Sequence, residues 1–239
     1  MNSPVKYELK DGVAFLNMDD GKVNAMSIEM LGAIGDGLER AEKDDAMVVL
    51  KGRDGVFSAG FDLKQIMSNA EISHKQIKMG AELCLKILSF PKPVITICTG
   101  HAYPMGAFLM MSADYRFGVR GDFNIGMNEV MIKMTIPQFA LELASSRLLP
   151  PYYARTTLTG EMFNPDEAAT AGFIDQAVNK SELDKAVEAK LEILKRVDFG
   201  AHHRTKMKVR KYVIAAMEKA IAEEQTLEKS QEAFRLRVT

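Results

Sequence analysis

Two small-residue turns and one carboxylate are the parts of this sequence that could do chemistry together. The turns are Ser58-Ala59-Gly60 and Met105-Gly106-Ala107, and the carboxylate is Glu129. Each turn follows an apolar run of the kind a buried strand carries, and each leads into sequence that can form a helix. If the two strands are near neighbours in one sheet, the turns fall at one edge. Two backbone N–H groups then converge on a single carbonyl oxygen, an arrangement that stabilises an enolate or a tetrahedral oxyanion. Such chemistry also needs a base, for which Asp62, Glu129 and His101 are the candidates. On residue type alone each has a plainer reading. Asp62 suits the cap of a helix beginning near Leu63, His101 suits a hydrogen-bonded turn histidine, and Glu129 suits an ordinary loop carboxylate.

The elements that must position these groups centre on Pro93 to Asp114. Val94 to Cys98 reads as a strand buried on both faces, followed by a turn at Thr99-Gly100-His101. Pro104 then opens an apolar helix at the position where its missing N–H costs nothing. The first N–H groups of that helix lack internal partners and sit at the positive end of its dipole, ready for a negative oxygen. Upstream, Asp11-Gly12 marks a hairpin, Ser27 caps an amphipathic helix, and Ala46 to Leu50 is a further buried strand. Residues 65 to 75 are polar and carry no clear element, and Gln76 to Leu88 is a helix. Downstream, Gly160 and Gly172 end helices, and two long charged helices cover Ser181 to Val197 and Ala201 to Arg235. Strands alternate with helices in the first half and helices dominate the second, which indicates an α/β core with a helical C-terminal region. The expected division is a core over residues 1–195 and a helical region over 196–239.

Composition narrows the partners. The 239 residues are 47% hydrophobic and 26% charged, with a formal net charge of −1. That balance gives no global attraction to nucleic acid or an anionic membrane, so an anionic ligand must meet local basic groups. No stretch is long and apolar enough to span a bilayer, and the first residues lack the pattern of a secretory signal. The two cysteines, Cys84 and Cys98, lie in apolar segments and read as buried free thiols of a reducing, cytoplasmic setting. His202-His203 has no Cys or acid at ligand spacing, so no metal site is expected.

Five ordered segments resemble the crotonase (enoyl-CoA hydratase/isomerase) superfamily. Phe57 to Leu63 is similar to its first oxyanion motif, and Gly100 to Ala107 with Ala113 to Arg116 to its second. Ile125 to Val130 is similar to the segment that carries a catalytic glutamate in enoyl-CoA isomerases, and Leu158 to Glu161 and Gly172 to Asp175 continue the likeness. The resemblance implies a ClpP-like spiral of repeated ββα units with a helical trimerisation region, and a homotrimer or hexamer. It places the oxyanion donors on the N–H groups of Phe61 and Met105, and the acid–base on Glu129 in a wall of Met105, Phe108, Met127 and Met131. Substrate contacts are implied for Ala59, Lys64, Gly106 and Phe108. No cofactor is implied beyond coenzyme A as part of the acyl thioester substrate. Hydratases of the superfamily hold a water between two glutamates, and the first of these positions is Phe108 here. One carboxylate suits a proton shuttle from C2 of a 3-enoyl thioester to C4. The expectation is therefore an enoyl-CoA isomerase, with a hydratase of fatty-acid β-oxidation or a non-catalytic acyl-CoA- or RNA-binding relative as alternatives. Lys206, Lys208, Arg210 and Lys211 are read equally as a solvated helix face or as a phosphate site for the coenzyme.

Overall fold

The structure, a computed structural model, describes residues 3–238, with side chains through residue 232 and that of Phe234. Strands β1 (Val5–Lys10) and β2 (Val13–Met18) form a hairpin whose turn residues Asp11 and Gly12 both have positive φ, at 51° and 74°. That geometry matches the twist of the flanking strands and explains the Asp-Gly pair. Helix α1 (Ile28–Lys43) starts at Ser27, whose hydroxyl accepts the Met30 N–H at 3.1 Å. Strand β3 (Met47–Lys51) then returns parallel to β2, and β4 (Gly55–Ser58) leaves for a second sheet. Helices α2 (Leu63–Ile66) and α3 (Ala70–Ser89) follow, the latter capped by Asn69. The polar stretch 65–75 is thus mostly helical. Its early turns pack beneath the end of the chain, a tertiary contact that local polarity does not reveal.

The same path is repeated. Strand β5 (Val94–Cys98) lies parallel beside β3, β6 (Gly100–Ala102) lies parallel beside β4, and α4 (Pro104–Ser112) closes the unit. Strand β7 (Tyr115–Val119) pairs with β5, and β8 (Ile125–Gly126) pairs with β6. Helices α5 (Gln138–Ser145) and α6 (Pro150–Thr159), strand β9 (Met162–Phe163), helix α7 (Pro165–Ala171) and strand β10 (Gln176–Val178) complete two sheets. Their orders are β1-β2-β3-β5-β7-β10 and β4-β6-β8-β9. Each turn of the spiral is a strand in the large sheet, a strand in the small one, then helix.

The corners between sheets demand glycine. A Cβ on Gly100 would fall 1.9 Å from the Gly55 carbonyl carbon, and one on Gly52 would fall 2.5 Å from the Phe57 Cα. Both obstacles are backbone, so neither can swing aside. These corners are where the sequence reading expected turns only; the short strands β4, β6, β8 and β9 lack the length to show a period of two.

Helices α8 (Leu183–Leu194), α9 (Phe199–Glu224) and α10 (Leu227–Val238) end the chain. The expected single helix over 201–235 is two, broken at Gln225-Thr226. Buried Lys206 and Arg210 tie α9 to the core. Lys206 Nζ reaches Asp114 Oδ2 at 2.7 Å and the Phe90 carbonyl at 2.8 Å, and Arg210 Nη2 reaches Asp114 Oδ1 at 2.9 Å. Of the two readings of residues 206–211, a solvated face or a phosphate site, neither holds for Lys206 and Arg210, whose charges are spent inside the protein, whereas Lys208 and Lys211 are exposed. Burial lowers the Lys206 ammonium to about 8, with Asp114 opposing that loss. Substituting Asp114→Ala strands two buried cations, for which a destabilisation of about 3–5 kcal/mol in urea unfolding is expected.

Candidate active site

The first turn is fixed by a clamp that the sequence reading did not single out. Buried Asn24, at φ 50°, donates from Nδ2 to the carbonyls of Met18 (3.1 Å) and Phe57 (3.3 Å). Ser58 Oγ donates to the Asn24 carbonyl at 2.8 Å and accepts the Gly60 N–H at 3.0 Å. The Ala59 N–H bonds to the Val23 carbonyl, and the Met26 N–H to the Gly60 carbonyl. Buried Gln76 on α3 donates to the Met26 carbonyl at 2.7 Å. These bonds hold the backbone of the turn on both sides, while the N–H of Phe61 has no backbone acceptor among the described residues. The signal available in sequence was an Asn between a strand and a helix, which is too common to weigh. Asp62 caps α2 through the N–H groups of Lys64 and Gln65, as expected.

The second turn is built onto the first. The Tyr103 N–H donates to the Ser58 carbonyl at 2.9 Å, and a Cβ on Gly60, whose φ is 87°, would lie 3.5 Å from the Tyr103 Cβ. Pro104 is the first residue of α4 and Met105 the second, so the Met105 N–H has no acceptor within the helix. Gly106 lets α4 sit on β4, since a Cβ there would lie 2.8 Å from the Ser58 Cβ. The side chains of Phe61 and Met105 meet at one place on α3. The Phe61 Cζ and Met105 Sδ come within 2.8 and 2.9 Å of the point where Gly80 would carry a Cβ. The side chains of Phe61 and Met105 are thus both lodged against α3. His101 is structural, its Nδ1 accepting the Asn124 N–H at 3.0 Å.

Glu129 begins a 3-10 turn, Glu129–Ile132, which follows β8 after Met127 and Asn128 and is closed by Lys133 at φ 60°. It is 5% exposed, and neither carboxylate oxygen has a hydrogen-bond partner. Burial raises its carboxyl to about 7; the one opposing influence is its own backbone N–H, which does not reach hydrogen-bond geometry. A cavity of about 290 Å³ brings Glu129 to the first turn, with Ala59, Gly60, Phe61, Tyr103 and Pro104 also on its walls, while Met105 and Met127, expected beside the carboxylate, are fully buried and not among the lining residues. The remaining lining includes Leu63, Ile77, Ile132 and Met134, so the carboxylate faces almost wholly apolar surroundings.

Several expected residues stand elsewhere. Met131 is 69% exposed and is no wall of the carboxylate, because the 3-10 turn points it outward. Gly106 and Phe108 are buried behind the cavity lining, with Phe108 packed edge-on against Phe139 at 5.8 Å. Lys64 is exposed and lines, with Lys22, a separate groove of about 580 Å³ that shares Ala59, Phe61 and Leu63 with the cavity. Tyr103 and Asn128 line the cavity and were not anticipated. Among the described residues no cluster of His, Cys, Asp or Glu could hold a metal, and no helix is long and apolar enough to cross a membrane.

With this geometry in hand, comparison with known proteins is direct. The family model for enoyl-CoA hydratase/isomerase matches residues 8–235, and the chain belongs to that family. An enoyl-CoA hydratase/isomerase family protein from Pseudomonas syringae superposes with a TM-score of 0.91 at 43% identity, covering 93% of this chain and 96% of that one. A Mycobacterium tuberculosis protein superposes at 0.88 and 37% identity, covering 93% and 97%. It is described as an enoyl-CoA isomerase in one structure and as a probable enoyl-CoA hydratase in another. The mitochondrial enoyl-CoA delta isomerase 1 of Rattus norvegicus is 24% identical over 75% of this chain. The match spans 64% of the rat protein's length. The family is thereby settled, and the choice of reaction must come from the site.

The raised Glu129 carboxyl has a consequence for stability. Between 4.5, its value when unfolded, and about 7, the unfolded chain has released a proton that the folded chain still holds. Stability therefore falls as pH rises through that window and is level above it. Glu129→Gln removes this loss. Its stability relative to wild type is expected to rise by about 3 kcal/mol from pH 4 to pH 8 in urea unfolding.

Proposed function

We propose that the protein shifts the double bond of a 3-enoyl-CoA thioester to give the 2-enoyl-CoA. The observation that carries this is the single buried, unpartnered carboxylate of Glu129 in an apolar cavity whose other walls include Ala59 and Gly60 of the first turn and Tyr103 and Pro104, which lead into the second. Glu129 takes a proton from C2 of the acyl chain. The electron pair moves into the thioester, and the Phe61 and Met105 N–H groups hold the resulting negative oxygen. The same carboxyl returns the proton at C4, which leaves the double bond between C2 and C3. Each oxyanion donor contributes about 3 kcal/mol in sites of this type. A carboxyl held at about 7 is matched to both halves of the shuttle near neutral pH.

Water addition asks for more than this site offers. A hydratase must hold and activate a water, and the position that would carry a second glutamate is Phe108, buried against Phe139. The thioester's coenzyme phosphates are assigned to the groove lined by the exposed Lys22 and Lys64, which shares Ala59 and Phe61 with the cavity. Copies of the chain are assigned to meet through α9, where Val209 and Tyr212 are 75% and 76% exposed on successive turns.

Purified protein given 3-enoyl-CoA is expected to yield 2-enoyl-CoA, with kcat/KM rising through about pH 7 as Glu129 ionises. Glu129→Gln is expected to lower turnover by roughly 100- to 10,000-fold. Rapid conversion of 2-enoyl-CoA to a 3-hydroxyacyl thioester, unchanged in that variant, would contradict the assignment.

A further inference from the structure

Helix α3 grips the first turn by its backbone as well as by the ring of Phe61. Gln76 is fully buried, and its Nε2 donates to two carbonyls at once, that of Met26 at 2.7 Å and that of Asp62 at 3.4 Å. Both acceptors adjoin Phe61: Met26 pairs with it as an isolated parallel bridge, and Asp62 follows it in the chain. The same bridge sets a direction. The Gly60 carbonyl accepts the Met26 N–H at 2.8 Å, and across a planar trans peptide the next N–H, that of Phe61, points the opposite way. One turn further along α3, Gly80 meets the Phe61 ring and Met105 Sδ, so Gln76 and Gly80 work from one face of the helix. The Gln76 amide is not fully served in return. Its Oε1 is buried with no hydrogen-bond partner, and an orphaned buried acceptor destabilises a fold. An apolar side chain of the same length would avoid that penalty and forgo only the two donated bonds. What Gln76 supplies is therefore its pair of N–H groups, and both are directed at the backbone around Phe61.

Resting on the reaction assigned above, we infer that Gln76 is a positioning residue for the oxyanion site: its amide holds the Met26 and Asp62 carbonyls so that the Phe61 N–H stays aimed at the thioester oxygen. Gln76 is not among the residues lining the cavity, whereas Ile77 beside it is, so it acts through the backbone it holds. Asn24 and Ser58 fix the strand side of the turn, and Gln76 fixes the side on which the donor lies. The Met105 donor belongs to α4 and keeps its place without Gln76. A misaimed N–H matters most where negative charge develops, so losing the grip lowers turnover more than it weakens ground-state binding.

The test reads the thioester carbonyl itself. Saturated butanoyl-CoA, which has no double bond to move, is labelled with heavy carbon at C1 and bound to the full chain, and its carbonyl stretch is recorded by difference infrared spectroscopy. Wild type is expected to hold that band at lower frequency than in solution, because the oxygen accepts hydrogen bonds. Gln76→Met keeps the length and removes both donors, and Gln76→Asn keeps the amide but withdraws it by one methylene. In at least one of them the bound band is expected to return part of the way to its solution position. In that variant kcat on 3-enoyl-CoA falls roughly 10- to 100-fold while the Kd of butanoyl-CoA changes less than about threefold. Leu191→Ala, in the separate apolar cluster around Val49 and Ile95, is the control for lost stability and leaves the bound band where wild type has it. Partial unfolding adds free-ligand signal and does not move the bound band. A wild-type band in both Gln76 variants, or loss of thioester binding by both, overturns the inference and leaves the reaction assignment standing. Absence of any shift in wild type overturns both.

Discussion

Helix α4 is the element on which the site depends, because its two ends face opposite demands. At its start the Met105 N–H is left without an acceptor, and the helix dipole places partial positive charge beside the cavity. At its end the carbonyls need cations. Arg147 donates to those of Met111 and Ala113, and Arg210 donates to those of Ser112 and Ala113. Arg210 also takes the Leu88 carbonyl near the end of α3, so one guanidinium binds two helix ends and Asp114. The helix is uniformly apolar between these ends, every residue buried, and could slide along its axis were it not held at both. The polar cluster around Asp114 is thus a structural device, and α9 is its source of charge.

The opposite wall is a matter of cost. An unpartnered carboxylate in an apolar cavity destabilises the folded protein when ionised, and that cost is visible as the raised Glu129 carboxyl. The chain carries it on a tightly wound turn, where the Met134 N–H bonds to the Glu129 carbonyl at 2.9 Å and fixes the backbone. A second acid on α4 would share the expense and permit a held water. Phe108 instead completes the core through its contact with Phe139. The cavity that results is lined by one carboxylate, as the proposed proton shuttle requires.

Much of this was legible in the residues. Capping by Ser27 and Asp62, the Asp11-Gly12 hairpin, helix ends at Gly160 and Gly172, and the buried strands β3 and β5 all followed from local chemistry. The neighbouring of β3 with β5 was the condition for the two turns to meet, and the structure meets it. What escaped were properties set by distant contacts. The short strands of the second sheet are defined by pairing and not by pattern. Lys206 and Arg210 read as surface charge because Asp114 lies some ninety residues away. Asn24 and Gln76, which lock the first turn, are polar residues whose burial only the tertiary fold could disclose.

The most direct test follows the proton itself. A 3-enoyl-CoA carrying deuterium at both C2 positions should be converted in ordinary water and the 2-enoyl product read for label at C4. A single carboxyl, buried from solvent and serving both carbons, requires that a substantial share of the product carry deuterium at C4. Complete loss of the transferred label to solvent, or a product bearing a hydroxyl at C3, would contradict a shielded single-base shuttle at Glu129.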